Sequence, residues 1–239
     1  MIVGNGMMAR AFSFYETSPE VLVFASGVSD SREKNKAAFH REEYLLREHL
    51  AAHNESIFVY FSTCSICDPE LKTSEYVNHK MKMEEIIRSE STKYLIFRLP
   101  QAVGKTKSPT LVNYLYNMVW SGQQFEVWTK AYRYLIDCED AFKICSYIIE
   151  RRMFMNSTVN VAPPVKIIAP KIVEIIEQVL NKKGNYVLVD KGSEYDIDLQ
   201  DIMPIIKEIG LEFDEQYPER VIRKYYSGNQ MAFQEMELT

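Results

Sequence analysis

The chain has 239 residues, 46% hydrophobic and 26% charged. That is enough apolar material to close a sizeable core, with no bias toward a disordered, collagen-like or disulfide-rich chain. Its net charge of −5 comes from interspersed signs, which argues against a nucleic-acid face or a polybasic membrane anchor. No run of about 18 apolar residues is present to span a bilayer, and the opening Met-Ile-Val-Gly lacks the basic and apolar regions of a signal peptide. A cytoplasmic protein with neither membrane nor nucleic-acid partners is therefore expected.

Ile2-Val3 reads as a short strand entering Gly4-Asn5-Gly6-Met7-Met8-Ala9, a G-x-G-x-x-A turn, and then a helix to about Phe14. Glycines at such a turn let the backbone approach a pyrophosphate, and the helix start offers free N–H groups. Val21-Leu-Val-Phe24 is a second strand, running into the small residues Ala25-Ser26-Gly27-Val28-Ser29, and an amphipathic helix follows over about 35–53. The run Ile57-Phe-Val-Tyr-Phe-Ser62-Thr63 reads as a buried parallel strand. It delivers two hydroxyls to the sheet's carboxyl edge, where α/β proteins bind ligands.

The helix expected over about 74–90 carries a stripe of Val77, Met81, Met83, Ile86 and Ile87, and it sets Tyr76 and Lys80 one turn apart on one face. An ammonium beside a phenol favours the phenolate and lowers a pKa that is otherwise about 10. The pair is thus a candidate for proton transfer, although the same spacing also suits a solvated helix face. Of the four cysteines, Cys64 and Cys67 have half-site spacing, but Cys138 and Cys145 do not complete a zinc site. Reduced, structural cysteines and no metal are expected.

A strand over 94–100 leads into Gln101-Ala-Val-Gly104. A helix over about 110–120 follows with the stripe Leu111, Tyr114, Leu115, Met118 and Val119, then a turn at Ser121-Gly122 and a short strand. Asp137, Glu139 and Asp140 open a helix to about Arg151, where acidic groups suit the dipole and read as caps rather than metal ligands. A strand at 158–161, a helix over 170–180, a strand over 186–190 and a terminal helix over 199–209 complete the order, and 228–239 reads as a loose polar tail.

In this order the elements resemble the extended short-chain dehydrogenase/reductases, specifically their nucleotide-sugar epimerase/dehydratase/reductase group. That group's pattern is a strand ending in Ser/Thr, then Tyr-x-x-x-Lys, then Arg-Leu-x-Asn-Val-Tyr-Gly. Here Ser62-Thr63, Tyr76-Val-Asn-His-Lys80 and Arg98-Leu-Pro-Gln101-Ala-Val-Gly104 stand in those places, and the likeness continues to about Tyr226. It implies an α/β fold: a truncated Rossmann-like parallel sheet flanked by helices, with a small C-terminal substrate-binding lobe. One domain is expected over 1–239, with 1–104 mainly Rossmann core, 105–227 mixing core strands with the lobe, and 228–239 the tail.

The activity implied is that of an NAD(P)-dependent epimerase or reductase acting on a nucleotide-activated sugar, in surface polysaccharide or lipopolysaccharide precursor synthesis. By the same resemblance Thr63, Tyr76 and Lys80 are catalytic. Gly4, Asn5, Gly6, Met7, Met8, Ala25, Ser26, Gly27, Ser62, Tyr76, Lys80, Leu99 and Pro100 hold NAD or NADP. Thr63, Cys64, Gln101 and Arg133 meet the substrate, and Arg133 is expected to grip its phosphates from the same cleft as Tyr76.

The chain also departs from the family. Only three strands, the hydroxyl-ended one included, lead up to Thr63 where the family has five. The ending of Val21–Phe24 resembles the family's fourth strand, so the second and third strands and the usual adenosine pocket are expected to be missing. Ile2-Val3 then becomes the sheet's edge, to be covered by a partner chain, the tail or a helix, and a homo-oligomer is one expected state. The competing assignment makes Val21–Phe24 the second strand and brings Asp30 to an adenosine ribose. Cys64-Ser65 stands where dehydratases carry Asp-Glu, so dehydration is the least expected reaction. The other reading is a regulatory sugar-nucleotide-binding relative with a degenerate cofactor site.

Overall fold

The apolar run at 57–63 forms the middle strand of the main sheet. The computed structural model describes residues 1–28 and 30–228. Its elements, in chain order, are β1 (Ile2–Val3), α1 (Met7–Ala11), β2 (Val21–Phe24), α2 (Lys36–Ala52), β3 (Ile57–Thr63), α3 (Glu75–Glu90), β4 (Tyr94–Leu99), β5 (Gln101–Val103), α4 (Leu111–Ser121) and β6 (Gln124–Trp128). They continue with β7 (Tyr132–Arg133), β8 (Leu135–Asp137), α5 (Cys138–Glu150), β9 (Ser157–Asn160), β10 (Ile167–Ile168), α6 (Ala169–Leu180), β11 (Asn185–Val189), α7 (Met203–Glu208) and α8 (Tyr217–Tyr226).

The sheet order is β1-β2-β3-β4-β9, and every pairing in it is parallel. Both faces are covered, which is why β2, β3 and β4 read as continuous apolar runs rather than alternating ones. On one face Leu22, Phe24, Phe58, Tyr60 and Ile96 pack with Leu46 and Leu50 of α2 and Met83 and Ile87 of α3. On the other, Val23, Val59 and Phe97 pack with Ile144 and Ile148 of α5. A second core joins α4, α6 and α8 with β6 and makes the lobe. Small pairings tie the lobe to the sheet's top: β5 with β8 and β6 with β11, both parallel, and β7 with β10, antiparallel.

Because β2 lies between β1 and β3, it occupies the fourth-strand place, and β1 is left at the edge with one hydrogen-bonded neighbour among the described residues. The competing second-strand assignment is therefore set aside. Asp30 accepts from the backbone and Nε of Arg32, and its charge acts on Tyr76. The expected cover of the β1 edge by the tail falls on 229–239, outside the described residues.

Two helices differ from the sequence expectation. The helix expected over 199–209 is confined to Met203–Glu208, with Pro204 in its first turn, where a fixed φ and a missing N–H cost nothing. The other, α8, lies where no helix is expected. Its residues Tyr217, Val221 and Tyr225, with Pro218, Ile222 and Tyr226, repeat every four positions and are all buried. The α4 stripe is also rotated: Val112, Leu115, Tyr116 and Val119 are buried, while Leu111, Tyr114 and Met118 are only partly so. No helix among the described residues is long and apolar enough to cross a membrane.

Candidate active site

The parallel strands β1 to β4 end together, and the loops leaving them enclose a cleft of about 320 Å³. Its walls are residues 4–8 from the turn after β1, Phe24 at the end of β2 with 25–28 and Ser31 after it, Phe61, Ser62 and Thr63 of β3 with Ser65 after it, Tyr76 and Lys80 from α3, 99–102 from β4, β5 and the residue between them, Thr106 and 108–111, and Arg41 from α2. The structure thus brings Gly4, Asn5, Gly6, Met7, Met8, Ala25, Ser26, Gly27, Ser62, Thr63, Tyr76, Lys80, Leu99, Pro100 and Gln101 to one cleft. No Asp or Glu is among the lining residues, and Arg41 and Lys80 are the charged ones.

The glycines have separate jobs. Gly4 has φ +120, and a Cβ there would come within 2.6 Å of the Ala25 carbonyl oxygen, so only glycine lets β1 turn this close to β2. A Cβ on Gly6 would meet nothing within 4 Å, so the cleft is open beside it. The first N–H groups of α1 lack intrahelical partners, and its N-cap, Gly6, makes no side-chain cap bond. Arg10 holds the turn by donating to the carbonyls of Asn5 at 2.9 Å and Lys105 at 2.5 Å.

At the other end of the cleft, Ser74 caps α3 by accepting from Val77 N–H, which fixes the helix start and so the direction of Tyr76. The Thr63 hydroxyl acts on that of Tyr76, favouring its ionised form, and Thr63 accepts from the Ser65 N–H at 3.0 Å. The Lys80 ammonium lies 6.0 Å from the centre of the Tyr76 ring and 5.0 Å from that of Tyr60. Thr63, Tyr76 and Lys80 therefore share one site. Ser62 faces the other way, donating to the buried Glu84 at 2.6 Å; Arg98 and Arg88 pair with the same carboxylate.

The charge balance differs from a bare Tyr-Lys pair. Burial pushes the Tyr76 hydroxyl above the usual phenol value; Lys80 and the Thr63 hydroxyl pull it down, and Glu42 and Asp30 push it up. Lys80 thus acts in the expected direction, but Tyr76 stays a phenol at neutral pH. Burial is the main reason, and the ammonium is also occupied: it donates to Glu42 Oε1 at 2.9 Å and to the Tyr60 hydroxyl at 3.1 Å, leaving one of its three donors.

Two expected substrate contacts are corrected. Arg133 is not among the residues lining the cleft; its guanidinium is 11% exposed and donates to Asp68 at 3.1 Å and to the Tyr132 carbonyl at 2.6 Å. A buried carboxylate has claimed the charge that a phosphate was expected to use. Cys64 is fully buried, with its sulfur 3.1 Å from the Arg98 carbonyl oxygen. Burial pushes its thiol well up, so it is neither a lining group nor a nucleophile. Ser65 takes the place at the cleft wall.

Glu42, His79 and Glu84 were missed in the sequence, where Glu42 and His79 sit in polar runs and Glu84 adjoins Glu85. The available signal was register: Glu42 falls four and eight residues before Leu46 and Leu50, and all three are buried on one face of α2.

No family model matches the sequence, and no curated protein matches it. Solved structures share its fold. UDP-glucuronic acid 4-epimerase from Bacillus cereus, solved with UDP-glucuronic acid and NAD, is 12% identical with a TM-score of 0.68, over 90% of this chain and 77% of that one. UDP-glucose 4-epimerase from Thermus thermophilus, solved with NAD, is 14% identical with a TM-score of 0.63, over 92% and 81%. UDP-N-acetylglucosamine 4-epimerase from Methanobrevibacter ruminantium, in complex with UDP-N-acetylmuramic acid, is 16% identical with a TM-score of 0.61, over 87% and 75%. The α/β fold with a parallel sheet flanked by helices, implied by the sequence resemblance, is the fold found.

Proposed function

We propose that the protein is an NAD(P)-dependent epimerase or reductase acting on a nucleotide-activated sugar. The observation that carries this reading is that Thr63, Tyr76 and Lys80, the last one helical turn on from Tyr76, line the same cleft as the Gly4–Gly6 turn. The cleft suits a dinucleotide: open space lies beside Gly6, no carboxylate is among its lining residues, and Arg41, exposed and without an ion pair among the described residues, supplies positive charge. Residues 4–8 and 25–27 would hold the cofactor, with Lys80 and 99–100 nearer its reactive end. When bound, NAD(P) supplies the hydride acceptor and donor for a sugar carbon.

The chain's own residues handle the proton. Thr63 orients the reacting sugar oxygen by hydrogen bonding, and Tyr76 exchanges a proton with that oxygen, giving it up when a carbonyl is reduced and taking it when an alcohol is oxidised. Lys80 favours the phenolate in the second case. The absence of Asp and Glu from the lining residues speaks against a dehydratase's added acid-base pair. A role in surface polysaccharide or lipopolysaccharide precursor supply in the cytoplasm rests on the sequence resemblance alone.

The test is turnover. Purified protein is incubated with NAD or NADP and a panel of UDP- and dTDP-sugars, followed by absorbance of the reduced nicotinamide and by chromatography of the sugar. Conversion of one sugar nucleotide, lost in Tyr76→Phe, is expected. No conversion of any, or undiminished turnover in Tyr76→Phe, contradicts the reading.

A further inference from the structure

Glu42 stands on α2 behind the cleft wall. It is fully buried (0% exposed), yet one carboxylate gathers four partners. Val28 N–H from the loop after β2 donates at 2.7 Å, the Tyr60 hydroxyl of β3 at 2.8 Å, and Lys80 Nζ of α3 at 2.9 Å, while His79 Nε2 lies 3.0 Å away. The Gly27 backbone presses on the pair so closely that a Cβ would come within 2.6 Å of Lys80 Nζ and 2.9 Å of Glu42 Oε1. An apolar side chain would pack here as Leu46 and Leu50 do one and two turns on, and buried ion pairs are often no more stabilising than such packing. The charge calls for a reason beyond stability.

We propose that Glu42 is a positioning residue for Lys80: it anchors the ammonium toward Tyr60 and tempers the positive charge that Lys80 presents to Tyr76. The proposal rests on the reading of Tyr76 as the proton-transfer group. Geometry supports it, since Nζ is nearer the Tyr60 ring than the Tyr76 ring, and both groups it bonds lie on the Tyr60 side. Burial would raise the Glu42 carboxyl, but Lys80, His79 and the Val28 N–H together hold it at about 2. It is therefore an anion at neutral pH, and Tyr76 faces a neutral pair rather than a bare cation. The other groups acting on Tyr76 are Asp30 from the loop after β2 and the Thr63 hydroxyl of β3. Tyr60, also close, is held well above the usual phenol value by burial and by Glu42, so it stays neutral.

Glu42→Gln tests this. The amide keeps the shape, and its oxygen can still accept from Lys80 while the negative charge is gone. The full chain is labelled with tyrosine carrying carbon-13 at the ζ position, the Tyr76 resonance is identified by its loss in Tyr76→Phe, and both wild type and Glu42→Gln are titrated. Tyr76 is expected to ionise about one pH unit or more lower in Glu42→Gln, and the acid limb of kcat/KM for alcohol oxidation should move down with it. An unchanged or raised ionisation in folded Glu42→Gln overturns the proposal.

Where that variant does not fold, Glu42→Gln/Lys80→Met, which buries no charge, replaces it. Tyr76 should then stay within about half a unit of wild type, and a rise of a unit or more overturns the proposal, because Lys80 would then have acted on Tyr76 untempered. The resonance is read without substrate, so a failure to find turnover and a failure of the Glu42 role are separate results.

Discussion

The two ends of the cleft are built differently. At the β3–α3 end the polar groups are tied down: Thr63 accepts from Ser65, Ser62 bonds Glu84, and Lys80 bonds Glu42 and Tyr60. At the β1 end a two-residue edge strand leads through two glycines into a five-residue helix without a side-chain cap. The Tyr76 end therefore does not depend on strands beyond β1: its supports come from α2, α3, β3, β4 and the loop after β2. An adenosine half can be cut back without disturbing the groups that would handle the proton, at a cost in how firmly a dinucleotide is held.

The comparison breaks most sharply at Tyr76. Tyr76→Phe removes only a hydroxyl and leaves the ring packed. Turnover is expected to fall by about 10²–10⁴-fold, with the urea midpoint moved little; steady-state rates and urea unfolding on the same sample check both.

The buried charges make the second test. Glu42→Ala leaves Lys80 and His79 buried without their acceptor and should destabilise by about 3–5 kcal/mol. The pH dependence has a definite sign. A carboxyl held at about 2 in the folded chain, against an ordinary 4.5, stabilises fully above pH 4.5 and loses that contribution as pH falls toward 2. Relative to Glu42→Gln, wild type should lose about 3 kcal/mol over that window, as read by unfolding at a series of pH values. Parallel pH curves for the two proteins would mean that Glu42 is not the group responsible.

A smaller effect is expected from Gly27→Ala, whose Cβ would crowd the Lys80–Glu42 pair. A loss of about 1–3 kcal/mol follows from overpacking, checked by thermal unfolding. The smallest belongs to Arg41, exposed at the cleft wall. Arg41→Ala should leave folding unchanged and weaken a phosphorylated ligand by about tenfold, the scale of one charge-assisted hydrogen bond, as read by calorimetry.

The main strands and helices were legible because burial on both faces leaves a strong pattern: β3 was read at its observed bounds, and α3 within a residue. Val21–Phe24 was placed in the sheet from the small residues that follow it. What stayed hidden depends on contacts far apart in the chain. Glu42 sits in His40-Arg41-Glu42-Glu43, a run that reads as solvated until β3 and α3 close over it. Arg133 reads as free until Asp68, 65 residues earlier, folds against it. α8 is rich in tyrosine, which favours strands, so composition masks its helical spacing.

The most direct test of the central claim is calorimetric titration of the wild-type chain with NAD and with NADP, repeated in the presence of a UDP-sugar. Saturable binding of both dinucleotides is expected, weak and with little selection between them, because β1 is the sheet's edge and no carboxylate is among the described residues lining the cleft. No binding of either dinucleotide with or without the sugar would contradict the account. So would NAD bound strongly in preference to NADP, since that requires an acidic ribose contact the cleft does not contain.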